Sequence, residues 1–152
     1  HYSSLNYKDA LSASGNKRVS AHFPHTPGID AAGVVVRDKS GTFSPGDEVV
    51  MFGYDLGMNT DGGYGQYIRV PAGWVIPLPD SMSLEDSMVY GTGGFTAGLG
   101  LYQMERMGQN PVQGAILVTG ASGGVGSMAV AILAKAGYEV IASSGKTEAY
   151  DY

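Results

Sequence analysis

The residues with the clearest chemical potential are Gly120-Ala121-Ser122-Gly123-Gly124-Val125-Gly126. Glycines at 120, 123 and 126 are spaced G-x-x-G-x-x-G. Such a loop suits a pyrophosphate when it joins a strand to a helix. One glycine permits the tight turn, another lets the backbone approach the phosphates, and a third lets helix and strand pack closely. The helix N-terminus then offers free N–H groups and a partial positive charge. The spacing differs from G-x-G-x-x-G, so its meaning depends on what flanks it.

The flanks have the required character. Ala115-Ile116-Leu117-Val118-Thr119 is a short apolar run with β-branched residues and reads as a buried parallel strand. Beyond the loop, Val125, Ala129, Ile132, Leu133 and Ala136 recur at helical spacing on one face, and Gly137 is a plausible end. Tyr138-Glu139-Val140-Ile141-Ala142 reads as a second strand. The stretch is a βαβ unit of about thirty residues, the context a dinucleotide fingerprint requires.

The end of the second strand selects the cofactor. NAD sites carry an Asp or Glu there for the ribose hydroxyls. This chain carries Ser143-Ser144-Gly145-Lys146 instead. No carboxylate repels a 2′-phosphate, Ser144 can donate a hydrogen bond, and Lys146 can supply charge. The expectation is NADP(H) rather than NAD(H).

The preceding residues are built differently. His1–Leu5 reads as the tail of a strand, and Asn6-Tyr7-Lys8-Asp9-Ala10-Leu11 as a short helix with Asn6 as N-cap. Ile29–Arg37 and Glu48–Phe52 read as strands, joined through the turn Ser44-Pro45-Gly46-Asp47. A long glycine-rich loop, Gly53–Gly63, suggests the rim of a site. Tyr64–Val70 is expected to return as a strand, and Gly73–Asp80 to be extended. Ser83-Leu84-Glu85-Asp86 approximates a capping box and starts a helix, interrupted at Tyr90–Gly94 and resumed over Phe95–Met107. The reading is α/β, with a mainly β, barrel-like module over 1–85 and the start of a doubly wound cofactor domain over 86–152.

Composition excludes several alternatives. Across 152 residues, 43% are hydrophobic, so a packed core is possible and disorder is not expected. The net charge is −5 without a basic run, which argues against nucleic acid or an anionic membrane as partner. No apolar stretch has the length of a membrane helix. There is no cysteine, hence no disulfide or thiolate metal site. His22 and His25 stand three apart with no further His or Cys nearby, so no metal site is expected. A nicotinamide cofactor points to the cytoplasm. His1 falls in what reads as mid-strand, and the chain closes after one βαβ unit, which leads to the expectation of a piece of a longer protein.

These motifs carry a resemblance. Ser3-Ser4-Leu5-Asn6-Tyr7-Lys8-Asp9, Pro27-Gly28-Ile29-Asp30-Ala31-Ala32-Gly33, Pro45-Gly46-Asp47-Glu48-Val49, Gly91-Thr92-Gly93-Gly94-Phe95-Thr96-Ala97, Thr119–Gly126 and Ser144-Gly145-Lys146 resemble the medium-chain dehydrogenase/reductase superfamily in number and order. They look most like its zinc-independent, quinone-oxidoreductase-type branch, which includes bacterial NADPH-dependent acryloyl-CoA reductases. The resemblance implies a chaperonin-10-like barrel followed by a Rossmann domain. It implies hydride transfer from NADPH to the C=C bond of an unsaturated acyl-CoA or to a quinone, by a homodimer when full length. Where zinc alcohol dehydrogenases have a ligand Cys and a ligand His, this chain has Asn6 and Ile29, so Lewis-acid chemistry is not expected.

The resemblance also implies roles. Tyr7 is expected at the nicotinamide as a binding residue, and as donor or proton relay. Asn6 is a candidate amide donor or a helix cap. Thr96 is either a cofactor-facing residue or a helix cap. Ser122, Gly123, Gly124 and Val125 match the pyrophosphate loop. Ser144, Gly145 and Lys146 match the 2′-phosphate site.

Overall fold

A computed structural model describes residues 1–147. They divide into two compact units, His1–Thr92 and Gly93 onward. The expected boundary at 85/86 falls seven residues earlier, within a helix.

The first unit is built on an antiparallel sheet. β1 (Asp30–Val34) pairs with β2 (Glu48–Phe52), and β2 with the short β3 (Ile76–Pro77). Tyr2 bridges Ala32, so the first residues do run beside β1. Register sets the packing, because successive side chains leave opposite faces. Ala32 and Val50 are directly paired and meet Leu84 and Met88 on one face. Their paired neighbours Ala31 and Met51 meet Leu56 on the other. Burying a side chain such as Leu56 or Met88 contributes about 1.5–3 kcal/mol.

Tyr64–Val70 does not form the expected strand. The backbone of Gly62, Gly63 and Tyr64 donates to Thr26, Gly28 and Pro27, which ties the segment to a loop. Ile68 and Val70 then pack by side chain on the Ala31–Met51–Leu56 cluster. Burial without ladder pairing overrides the strand propensity of the run.

The first unit also holds one short helix and the opening turns of a long one. α1 (Tyr7–Ala13) starts at Asn6. α2 (Leu84–Arg106) starts with a cap, since Asp86 N donates to Ser83 Oγ at 3.0 Å. It is broken at Gly91, whose φ of 49° and ψ of −157° are non-helical. A Cβ there would stand 2.8 Å from Ser4 Oγ and 2.9 Å from Asp30 Oδ2, so only glycine fits.

In the second unit β4 (Ile116–Thr119), α3 (Gly124–Lys135) and β5 (Val140–Ser143) form a parallel βαβ unit, with Thr119 opposite Ser143. α3 ends as Gly137 suggests. Gly137 N donates to Ala134 O and Tyr138 N to Leu133 O, which satisfies the last carbonyls. Leu117 and Ile141 are 60% and 54% exposed, against the expectation of a buried strand. Parallel strands are buried when helices cover both faces, and among the described residues this sheet has two strands joined by one helix. No helix among the described residues is long and apolar enough to cross a membrane.

Candidate functional site

The cofactor residues expected from the second unit come together at the C-terminal ends of β4 and β5. Ala121 N donates to Ser143 O at 3.0 Å, so the glycine loop leaves β4 beside the end of β5. That contact sets Ser122 against Ser144, with their hydroxyls sharing a hydrogen bond of 2.8 Å. Lys146 N donates to Ser144 Oγ at 3.1 Å, and the Lys146 side chain stays exposed. Gly145 lies exposed between them. Over residues 143–147 there is no carboxylate, and Lys146 is the one charged side chain.

The loop is closed by backbone. Gly123 N donates to Gly120 O at 2.9 Å, and Gly123 is the extended N-cap of α3. A Cβ on Gly126 would overlap Gly120 O and stand 2.8 Å from the Gly120 carbonyl carbon, the close helix–strand approach the fingerprint needs. Among the described residues no acceptor meets the N–H groups of Gly124, Val125 and Gly126. Three free donors at the positive end of a twelve-residue helix fit a pyrophosphate. The serine pair and Lys146 fit a 2′-phosphate. Thr96 is exposed, one turn beyond Gly93 in α2. A Cβ at Gly93 would lie 3.3 Å from Gly124 O, so this part of α2 runs close to the start of α3.

In the first unit Tyr7 is 81% exposed in the first turn of α1. Asn6 is held from several sides. Its backbone N–H donates to Asp9 Oδ2 at 2.8 Å. Its Nδ2 donates to Ser4 Oγ and to Asp30 Oδ2, each at 3.0 Å. Both amide hydrogens therefore have partners within the module, and Asn6 braces the turn that presents Tyr7. An amide so engaged is not a free donor for a substrate oxygen.

Two buried carboxylates organise this region, and the sequence reading gave neither a site role. Asp30 accepts from Ser4 Oγ, from Asn6 Nδ2, from Thr92 N at 2.8 Å and from Thr92 Oγ1 at 2.5 Å. Asp9 accepts from Asn6 N, from Gly28 N at 3.1 Å, from Ile29 N at 2.9 Å and from the Tyr64 hydroxyl at 3.1 Å. Burial, and then the negative charge of Asp9, push the Tyr64 hydroxyl up to about 12. One signal was available in the sequence: an acid flanked by Ile29 and Ala31 in an apolar strand must find donors if it is buried. His25, considered for a metal, instead places Nε2 2.7 Å from Ser12 Oγ and 3.2 Å from Ser20 Oγ. A cavity of about 860 Å³ elsewhere in the unit is lined by Val34, Met51, Tyr67 and Arg69 among others, and by none of the expected site residues.

The alcohol dehydrogenase GroES-like domain matches residues 1–80, more than half of the chain. The chain belongs to that family. Proteins similar to this chain include the putative quinone oxidoreductase YhfP of Bacillus subtilis, 48% identical over 99% of this chain and 46% of that protein. The acrylyl-CoA reductase AcuI of Ruegeria pomeroyi is 46% identical, again over 99% of this chain and 46% of that protein. This GroES-like chain thus spans about half the length of the curated relatives it matches. The yhdH oxidoreductase of Salmonella enterica, crystallised with NADP, superposes on it with a TM-score of 0.97 at 46% identity, covering 100% of this chain and 47% of that one. The Bacillus subtilis yhfP structure, with NAD bound, gives 0.93 at 49% identity over 99% of this chain and 46% of that one.

Proposed function

We propose that this chain serves an NADPH-dependent reductase that saturates the C=C bond of an α,β-unsaturated carbonyl compound, with a short acyl-CoA thioester such as acryloyl-CoA as preferred substrate. The observation that carries the reading is the Ser122–Ser144 pair beside Lys146, at a strand end without a carboxylate and next to the glycine loop. That surface suits a cofactor bearing a 2′-phosphate. Ser122, Gly123, Gly124 and Val125 hold the pyrophosphate, and Ser144, Gly145 and Lys146 the 2′-phosphate. Thr96 lines the cofactor site.

Bound NADPH supplies the hydride. The chain must stabilise the charge that builds on the thioester oxygen and pass a proton to the α-carbon. Tyr7, exposed and mounted on a braced turn, is the donor, and Asn6 fixes that turn. No Lewis acid enters this reading, since the resemblance puts Asn6 and Ile29, which is buried, where zinc alcohol dehydrogenases carry two ligands. The module over 1–85 serves the substrate, and residues 86–152 begin the cofactor domain. The full-length protein acts as a cytoplasmic homodimer.

Reduction of a quinone or enone by the same hydride step is the second reading, favoured by the relative named a putative quinone oxidoreductase. The deciding assay follows nicotinamide oxidation by the full-length protein with acryloyl-CoA and with benzoquinone, each with NADPH and NADH. Acryloyl-CoA with NADPH is expected to give the highest kcat/KM. Preference for NADH, or loss of activity to a chelator with recovery on zinc addition, overturns the reading. Sedimentation tests the dimer.

A further inference from the structure

We propose that the outward face of Tyr54 is a stacking site for a planar conjugated ring of the substrate. The inference deepens the function proposed above and rests on it for the identity of the ring.

Tyr54 is the one non-glycine residue with positive φ among the described residues, at 51°. That conformation costs free energy, and the surrounding structure has to hold it. The ring it displays is stacked on Trp74, with centroids 5.1 Å apart and planes 4° from parallel. Trp74 is anchored, since it packs on the buried cluster of Ala31, Met51 and Leu56. Tyr54 itself is 61% exposed. One face of its ring is spent on the indole, and the residue's exposure leaves the other for solvent.

The loop behind the ring is tied down. Gly53 N donates to Ile29 O at 3.1 Å. Asn59 Oδ1 accepts from Ala21 N at 3.0 Å, and Asp61 Oδ1 from Thr26 N at 2.9 Å. A ring fixed in advance loses little freedom when a ligand stacks on it. Its location suits a substrate. Phe52, two residues before Tyr54, pairs with Asp30, so the platform rises from the end of the sheet where Asp30 holds Asn6. Two substrate classes bring a flat ring, the adenine of an acyl-CoA and the ring of a quinone.

The test uses the full-length protein with NADPH and the variants Tyr54→Gly and Tyr54→Phe. Glycine accepts the positive φ, so it removes the ring without straining the backbone. KM is measured for acryloyl-CoA, for the acryloyl thioester of N-acetylcysteamine, which lacks the nucleotide, and for benzoquinone. Binding of free CoA is followed by calorimetry. If the ring is adenine, Tyr54→Gly raises KM for acryloyl-CoA and Kd for CoA about tenfold, within the range of base–aromatic stacking. The truncated thioester then changes less than about twofold, and Tyr54→Phe restores wild-type values. If the ring is a quinone, the tenfold rise appears in the benzoquinone KM alone. Equal shifts for all three substrates, or none, overturn the proposal. Wild-type protein that reduces neither substrate overturns the functional reading instead. CoA calorimetry then decides the stacking by itself, and an absent or unaltered isotherm overturns it.

Discussion

Asn6 Nδ2 lies 3.0 Å from Asp30 Oδ2, which joins the turn before α1 to the first residue of β1. The same oxygen receives the Ser4 hydroxyl and the Thr92 backbone N–H. Asp30→Ala strips four donors of their acceptor in a fully buried place, and each stranded polar group costs about 1–3 kcal/mol. Partial rehydration offsets some of that. The expected loss is about 3–4 kcal/mol, with Asp30→Asn milder because one side-chain oxygen is kept. Urea unfolding followed by the fluorescence of Trp74, the single tryptophan of the chain, measures it. A change below about 1 kcal/mol for Asp30→Ala refutes the hub.

Ser144→Asp puts a carboxylate where the cofactor reading needs none. Repulsion of a 2′-phosphate and capture of a ribose hydroxyl both favour the unphosphorylated cofactor. The expected outcome is a fall of about 10–100-fold in kcat/KM for NADPH, about 1.4–2.7 kcal/mol, with a smaller change or a gain for NADH. Parallel assays of the full-length variant with both cofactors check it. Equal losses with the two would count against the serine as a 2′-phosphate contact.

Gly126→Ala asks for space already filled by the Gly120 carbonyl. The obstacle is backbone, so helix and strand must separate or the loop must rebuild. Overpacking of this kind costs about 1–3 kcal/mol. NADPH affinity of the full-length variant is expected to fall at least tenfold, read by calorimetry, with a lowered Tm. Gly100→Ala, which lies exposed in α2 outside the loop and meets nothing within 4 Å, serves as the control for added volume.

Tyr64 makes the first unit sensitive to alkali. Its folded pKa stands at about 12, above the ordinary 10.0, through burial and the charge of Asp9. The folded state therefore holds this proton more tightly than the unfolded chain does. The stabilisation is complete below pH 10 and is lost as pH rises towards 12. Near-UV absorbance of tyrosinate should reveal late titration among the ten tyrosines. Tyr138 is displaced in the same direction, by burial and by Glu105. Tyr64→Phe should remove part of the late absorbance and flatten the decline of stability above pH 10. An unchanged titration curve in that variant rules the assignment out.

Local chemistry made the βαβ unit legible. Its apolar strands, helical spacing and Gly137 stop signal are all contained in one short stretch, and α3 and β5 fall within a few residues of expectation. The break in α2 was visible in Tyr90–Gly94 for the same reason. What escaped depends on distant partners. Tyr64–Val70 reads as a strand on its own residues, but whether it pairs is decided by its ties to the loop at residues 26–28. Asp30 reads as one polar residue in an apolar run until Ser4, Asn6 and Thr92 converge on it from 24 to 62 positions away. The engagement of the Asn6 amide was hidden for that reason too.

Ser122 and Ser144 share one hydrogen bond between their hydroxyls. Each hydroxyl carries a single hydrogen, so their mutual bond occupies one of the two protons the pair could offer an anion. An arriving phosphoryl oxygen can claim both only by turning that hydrogen outward. Under the proposed function, selectivity at this corner is a competition between an internal contact and an incoming charge. Removing Ser122 leaves Ser144 Oγ with the Lys146 N–H as its partner, whereas removing Ser144 takes from Ser122 the hydroxyl it meets.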